Sequence, residues 1–155
     1  MGVEELYEYC ELIDKTLPPD HAFFLYEAHI KIVQSYLGLA VSQARNVEKI
    51  REILDILDTL NENIYDSDTV LPDQVRKSMR HETKEWIDIE QKMDNGDKYT
   101  AYLVLAASNL RIALSELWTL KKDPDFSEHI TDYTLEFMPK LINMINNEAI
   151  GNVLL

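Results

Sequence analysis

Residues 98–122 read KYTAYLVLAASNLRIALSELWTLKK, and their reading decides the fold. The stretch holds no glycine or proline. On a wheel of 100° per residue, Ser108, Arg111, Ser115 and Thr119 share one wet stripe and most of the remainder is apolar. That pattern predicts a helix over about Lys98–Lys122 that sits at the centre of a helical protein. Asp123-Pro124-Asp125 breaks the chain after it.

Working outward, Asp20–Ala44 gives a second central helix, with Asp20 placed as its N-cap. Glu27, Lys31, Gln34, Gly38, Ser42 and Arg45 share its wet side. Val47 to about Tyr65 follows, and Ile50, Ile53, Leu54, Leu57, Leu60 and Ile64 repeat at the 3-4 spacing of a bundle seam. Asn46 separates these two helices, or they run on as one, since no glycine or proline divides them. Asp66–Leu71 reads as a polar loop, with Pro72 at a first helical position. From about Asp73 to Asp94, Val75, Met79, Trp86, Ile89 and Met93 form a narrow stripe on a charged segment, which predicts a peripheral helix stopped by Asn95-Gly96. A last helix is expected from near Phe126 to about Asn147, kinked or broken at Pro139. The apolar tail Gly151–Leu155 would dock on the body or on another subunit. At the other end, Val3, Leu6, Tyr7, Cys10 and Ile13 fall on one side of a short amphipathic helix Val3–Lys15, ended by Pro18 and Pro19.

These elements add up to an all-α single domain over residues 1–155. The expected architecture is an up-and-down four-helix bundle with one or two additional helices, because short loops between long helices imply antiparallel neighbours. Length and composition agree. The chain has 155 residues, 46% hydrophobic and 28% charged, with only 4 glycines and 5 prolines, too few for a chain of many strands and tight turns.

Charge narrows the function classes. The net charge of −13 repels phosphate backbones and anionic membranes, so neither nucleic acid nor membrane is an expected partner. No apolar run approaches the roughly 18 residues that a membrane span needs. The acidic start, MGVEELYEYC, lacks the pattern of a signal peptide, and the expected compartment is the cytoplasm. Cys10, the single cysteine, excludes an internal disulfide and reads as a small buried hydrophobe.

A few polar residues point inward. His29 lies almost opposite the wet side of its helix, Tyr36 follows seven residues on along the same stripe, and Gln43 seven beyond that. Asn109 and Glu116 flank the wet stripe of Lys98–Lys122, which also carries Arg111. His29, Tyr36, Asn109, Arg111 and Glu116 are therefore the candidate ligand-binding residues. The plainer reading makes His29 and Tyr36 core residues with hydrogen-bonded polar atoms. His81 and Glu85 have a spacing that could ligate a metal, but they fall on a charged face and lack the second histidine of a zinc-protease motif. There is no Glu-x-x-His pair, no glycine-rich phosphate loop and no cysteine pair, so neither metal nor cofactor is expected.

The segment Ala107–Leu117, with Arg111, Ala113 and Glu116, resembles the helix of cobalamin adenosyltransferases that carries an Arg, an Ala and a Glu in one apolar run. The overall pattern is similar to small archaeal helical-bundle proteins of the ferritin-like or cobalamin-adenosyltransferase-like kind. This chain begins with acidic residues where the transferases have a Thr/Gly/Asp-rich segment for the ATP phosphates, and two further arginines are missing. The resemblance thus implies a shared fold with the activity absent or changed. The expected role is a soluble, non-enzymatic bundle that self-associates as a homodimer or higher homo-oligomer. The alternatives are a small-molecule or nucleotide-binding bundle with a divergent site, and an acidic inhibitor or nucleic-acid mimic.

Overall fold

The computed structural model describes residues 2–82 and 96–154, with side chains through Gly151. A 3-10 turn, Val3–Leu6, leads into two short strands, β1 (Glu8–Cys10) and β2 (Lys15–Leu17). Five α-helices are described: α1 (Ala22–Ser42), α2 (Val47–Asn63), α3 (Asp73–Arg80), α4 (Lys98–Lys121) and α5 (Asp132–Leu154). The protein is mostly helical, as expected.

Helix α4 starts where Asp97 accepts a hydrogen bond from the Thr100 backbone N–H at 2.9 Å. That satisfies one of the four donors that a first helical turn leaves open. Helix α1 is capped differently from the expectation: His21, not Asp20, occupies the N-cap, and its Nδ1 accepts from the Phe23 N–H at 3.1 Å. The imidazole also lies against Phe126, with ring centroids 5.2 Å apart, so packing selects it over the neighbouring carboxylate.

Asn46 does divide α1 from α2. Ala44 and Asn46 both have left-handed backbones (φ 55° and 38°), which no continuing α-helix permits. The last helix begins six residues later than expected. Residues 123–130 form successive turns, closed by backbone bonds such as Ser127 N–H to the Asp123 carbonyl at 2.8 Å. They seat Phe126, fully buried, against Phe23. Thr131 then accepts from the Thr134 N–H at 3.2 Å and opens α5. Pro139 lies within α5, which runs unbroken through it to Leu154.

The N-terminal expectation fails. In place of a helix over Val3–Lys15, β1 and β2 pair antiparallel, with Glu8 opposite Leu17, Tyr9 opposite Thr16 and Cys10 opposite Lys15. Asp14, at φ 51°, makes the turn, and its carboxylate accepts from the Tyr9 hydroxyl. Three-residue strands are too short for an alternating signal, and the chance 3-4 spacing of Val3, Leu6, Tyr7 and Cys10 imitates a helix. Of these, Val3 and Leu6 are exposed and Cys10 is buried, where Leu17 joins it in sealing the core. The peripheral helix is described only as Asp73–Arg80; its expected continuation, with Glu85, Trp86, Ile89 and Met93, lies outside the described residues.

Packing runs α1 on α4, α4 on α5, α5 on α2 and α2 on α1, with α3 against α5. Every neighbouring pair in that ring is antiparallel. Tyr26 meets Asn61, Asn46 meets Glu148, Asn63 meets Thr131, and His29 meets Glu116. It follows that α2 and α4 run parallel on a diagonal, and that the directions in chain order are up, down, down, up. Residues 64–97 carry the chain back to the end where α2 began. The short-loop argument holds for α1–α2 and α4–α5 but not for this longer connection. The core gathers Tyr26, Tyr99, Phe126 and Phe137 among its largest fully buried side chains.

Candidate functional site

The seam between α1 and α4 gathers most of the candidate residues. His29 Nδ1 lies 2.8 Å from Glu116 Oε1 and 3.0 Å from Oε2. An ionised carboxylate has no proton to offer, so the ring nitrogen donates. The two side chains are 21% and 12% exposed. Burial pushes the Glu116 carboxyl above the ordinary carboxylate range, and the hydrogen bond and charge of His29 pull it back. Sequence reasoning turned His29 inward and put Glu116 on a flank of its helix; the two meet on the seam, with His29 only partly buried.

Tyr36 lies two helical turns along the same seam. Its ring packs on Tyr102 of α4, with centroids 6.4 Å apart and planes at 26°. Asn109 turns back on its own helix, donating to the Leu105 carbonyl at 2.8 Å. Arg111 is not with them. It lies on the opposite flank of α4, donates to Ser115 Oγ at 2.8 Å, and lines a groove of about 760 Å³ with Pro139, Ile142, Asn143 and Asn146 of α5. The five residues thus divide into a His29–Glu116 pair, two side chains further along that seam, and an arginine in a separate groove.

The pair has the donor and acceptor geometry that orients a histidine for proton transfer. General base catalysis also needs a nucleophile or substrate within reach of the second ring nitrogen. Among the described residues no hydroxyl or thiol hydrogen-bonds His29, and no three His, Cys, Asp or Glu side chains converge as a metal centre. Cys10 is fully buried, and burial raises its thiol pKa, which lowers the thiolate fraction.

One polar cluster escaped the sequence reading. Asn63, 1% exposed, donates to the carbonyls of Ser67 and Thr69 and accepts from the hydroxyls of Thr131 and Thr134. Its amide ties the end of α2, the following loop and the start of α5 into one joint. The available signal was its position, three residues after Leu60 on the apolar seam of α2, where a plain bundle carries an aliphatic residue. Two further buried hydroxyls are satisfied across helices: Tyr26 donates to Asn61 at 2.8 Å and Tyr99 to Glu148 at 2.8 Å.

By length and composition α4 is apolar enough to cross a membrane, a property that core helices share; 44% of its apolar window is buried here. This qualifies the expectation that no segment comes near a membrane span.

Residues 9–151 match the family described as Domain of unknown function (DUF1940), and the chain belongs to that family. No curated protein matches the chain.

Proposed function

We propose that this chain is a non-catalytic, self-associating protein, built as a four-helix bundle from α1, α2, α4 and α5 and working through contacts between its own copies. The observation that carries this reading is the surface left on the two central helices. Leu25, Ile32 and Leu39 of α1 and Leu105 and Ile112 of α4 are all between 37% and 47% exposed. Beside its wet side and its buried side, each helix thus carries an apolar stripe that a single copy leaves uncovered. The polar residues of the seam fit this role: His29 and Glu116 hold each other, Asn109 bonds its own helix, and none of them lines the groove beside Arg111.

Sedimentation equilibrium of the full chain, from micromolar to millimolar concentration, tests it. The expected result is a mass that is a multiple of the 18.0 kDa chain. An 18.0 kDa species throughout that range overturns the proposal.

One observation favours a second reading, a small-molecule site. Arg111 has no carboxylate partner among the described residues, and its groove adds the amides of Asn143 and Asn146 to the apolar walls of Ile112 and Ile142. That combination suits an anion with an apolar body. A thermal-shift screen of nucleotides, corrinoids and aliphatic carboxylates that moves the melting temperature of the wild type but not of Arg111→Ala supports it; no shift with any of them removes it.

A further inference from the structure

We infer that a second copy of this chain docks on the outer face of the α1–α4 pair, so that two copies contribute two helices each to a second, intermolecular bundle. The inference rests on the self-association reading and names the surface through which it acts.

Both helices carry a seam that a lone bundle has no use for. On α1, Leu25, Ile32 and Leu39 recur every seventh residue, with His29 and Tyr36 between them at the alternate 4-3 steps. On α4, Leu105 and Ile112 stand seven residues apart, with Asn109 between them and Glu116 four residues beyond. A strict seven-residue apolar repeat is the pattern of a helix packed on another helix. Here each helix already buries a different side: Ile30, Val33 and Leu37 on α1, Leu103, Leu110 and Leu117 on α4. The seven-residue repeat lies beside that core, on the solvent side of the seam. Small residues flank the rungs, Ala28, Ser35 and Gly38 on α1 and Ser108 and Ser115 on α4, all exposed, with Lys31 and Arg111 as the two long side chains in the same rows. Small residues let a facing helix approach closely.

Charge selects the occupant. The chain has 28 acidic residues, yet α1 and α4 together contain only Glu27 and Glu116, and Glu116 is held by His29 beneath the face. Two copies of net charge −13 repel over most of their surfaces. The α1–α4 face is where they can approach without opposing carboxylates, and it offers each copy the same uncharged repeat in return, as an isologous contact requires. Its size is adequate. A helix of this length spans ~30 Å, and two side by side cover on the order of 600 Å² in projection, close to the ~800 Å² per partner of a standard stable interface.

The test compares full-length wild type with Ile32→Glu and Ile112→Glu by sedimentation equilibrium, with Leu6→Glu as a control on an exposed leucine elsewhere. Wild type and control are expected to assemble equally, and each face variant to associate about a hundredfold more weakly or not at all, with an unchanged helical circular dichroism spectrum. If all four proteins assemble alike, the face is wrong and self-association stands. If wild type is a monomer, self-association fails and this inference with it. Hydroxyl-radical footprinting of wild type covers the case of a variant that does not fold: Leu25, Ile32 and Ile112 should lose labelling as concentration rises, and constant labelling overturns the assignment. Wild type should not co-sediment with phosphatidylcholine vesicles; vesicle binding that Ile32→Glu abolishes would reassign the face to a lipid surface.

Discussion

His29 and Glu116 hydrogen-bond across the seam, and removing one partner differs from removing both. His29→Ala leaves a largely buried carboxylate without its donor, which costs about 1–3 kcal/mol. His29→Leu combined with Glu116→Leu removes the orphan along with the pair, so the double variant should lose less stability than the sum of its single variants. Urea denaturation of the four proteins at one concentration measures this, and strict additivity would contradict the contact. Glu27 tests burial in another way. Desolvation raises its carboxyl pKa, opposed by Lys31 and reinforced by Glu11. A raised folded-state value means that the fold holds this proton more tightly than the unfolded chain does. The stabilisation from Glu27 is therefore fully present below its unfolded pKa and is lost as pH rises through its folded one. Glu27→Gln should gain stability relative to wild type between about pH 4 and pH 7, read from urea midpoints; a difference that stays flat or falls would show the sign to be wrong. The wheel could place His29 and Glu116 on their faces because a helix fixes direction. It could not tell that Arg111, one turn from Glu116, serves a different flank, since that depends on where α5 packs.

Helices α1, α2 and α4 were legible because each carries many turns of one period. What failed was short. The strands Glu8–Cys10 and Lys15–Leu17 have three residues apiece, and a hydrophobic spacing of so few positions fits a helix as well as a hairpin. The start of α5 was misplaced because Pro124 signals only a break. The cap, Thr131, is recognised through Asn63, 68 residues away in the chain, as well as through its near neighbour Thr134. That joint makes a prediction at the scale of elements. Asn63→Ala abandons two carbonyls and two hydroxyls at the meeting of α2 and α5, and it should cost about 2–4 kcal/mol. Hydrogen exchange should locate the loss in the last turn of α2 and the first of α5; uniform loosening of all helices would count against a local joint.

For the whole molecule, charge and topology set the behaviour. The acidic residues crowd onto everything except α1 and α4, so copies that meet through those helices still repel elsewhere. Raising sodium chloride from about 20 to 300 mM should screen that repulsion and tighten self-association, as measured by sedimentation equilibrium; weakening with salt would mean that ion pairs hold the copies together. The sequence foretold a helical protein with two central helices, but not that they would run as they do. Its short loops suggested alternation, and the connection through residues 64–97 makes α2 and α4 parallel. That diagonal step has a consequence during synthesis. Helix α1 ends at Ser42, while α4, its main packing partner, is complete only at Lys121. At roughly 5–20 residues per second, the intervening ~80 residues take about 4–16 s to emerge from the ribosome. For those seconds α1 is a finished apolar helix with only α2 to lean on, which makes it the stretch of the nascent chain most in need of a chaperone's cover.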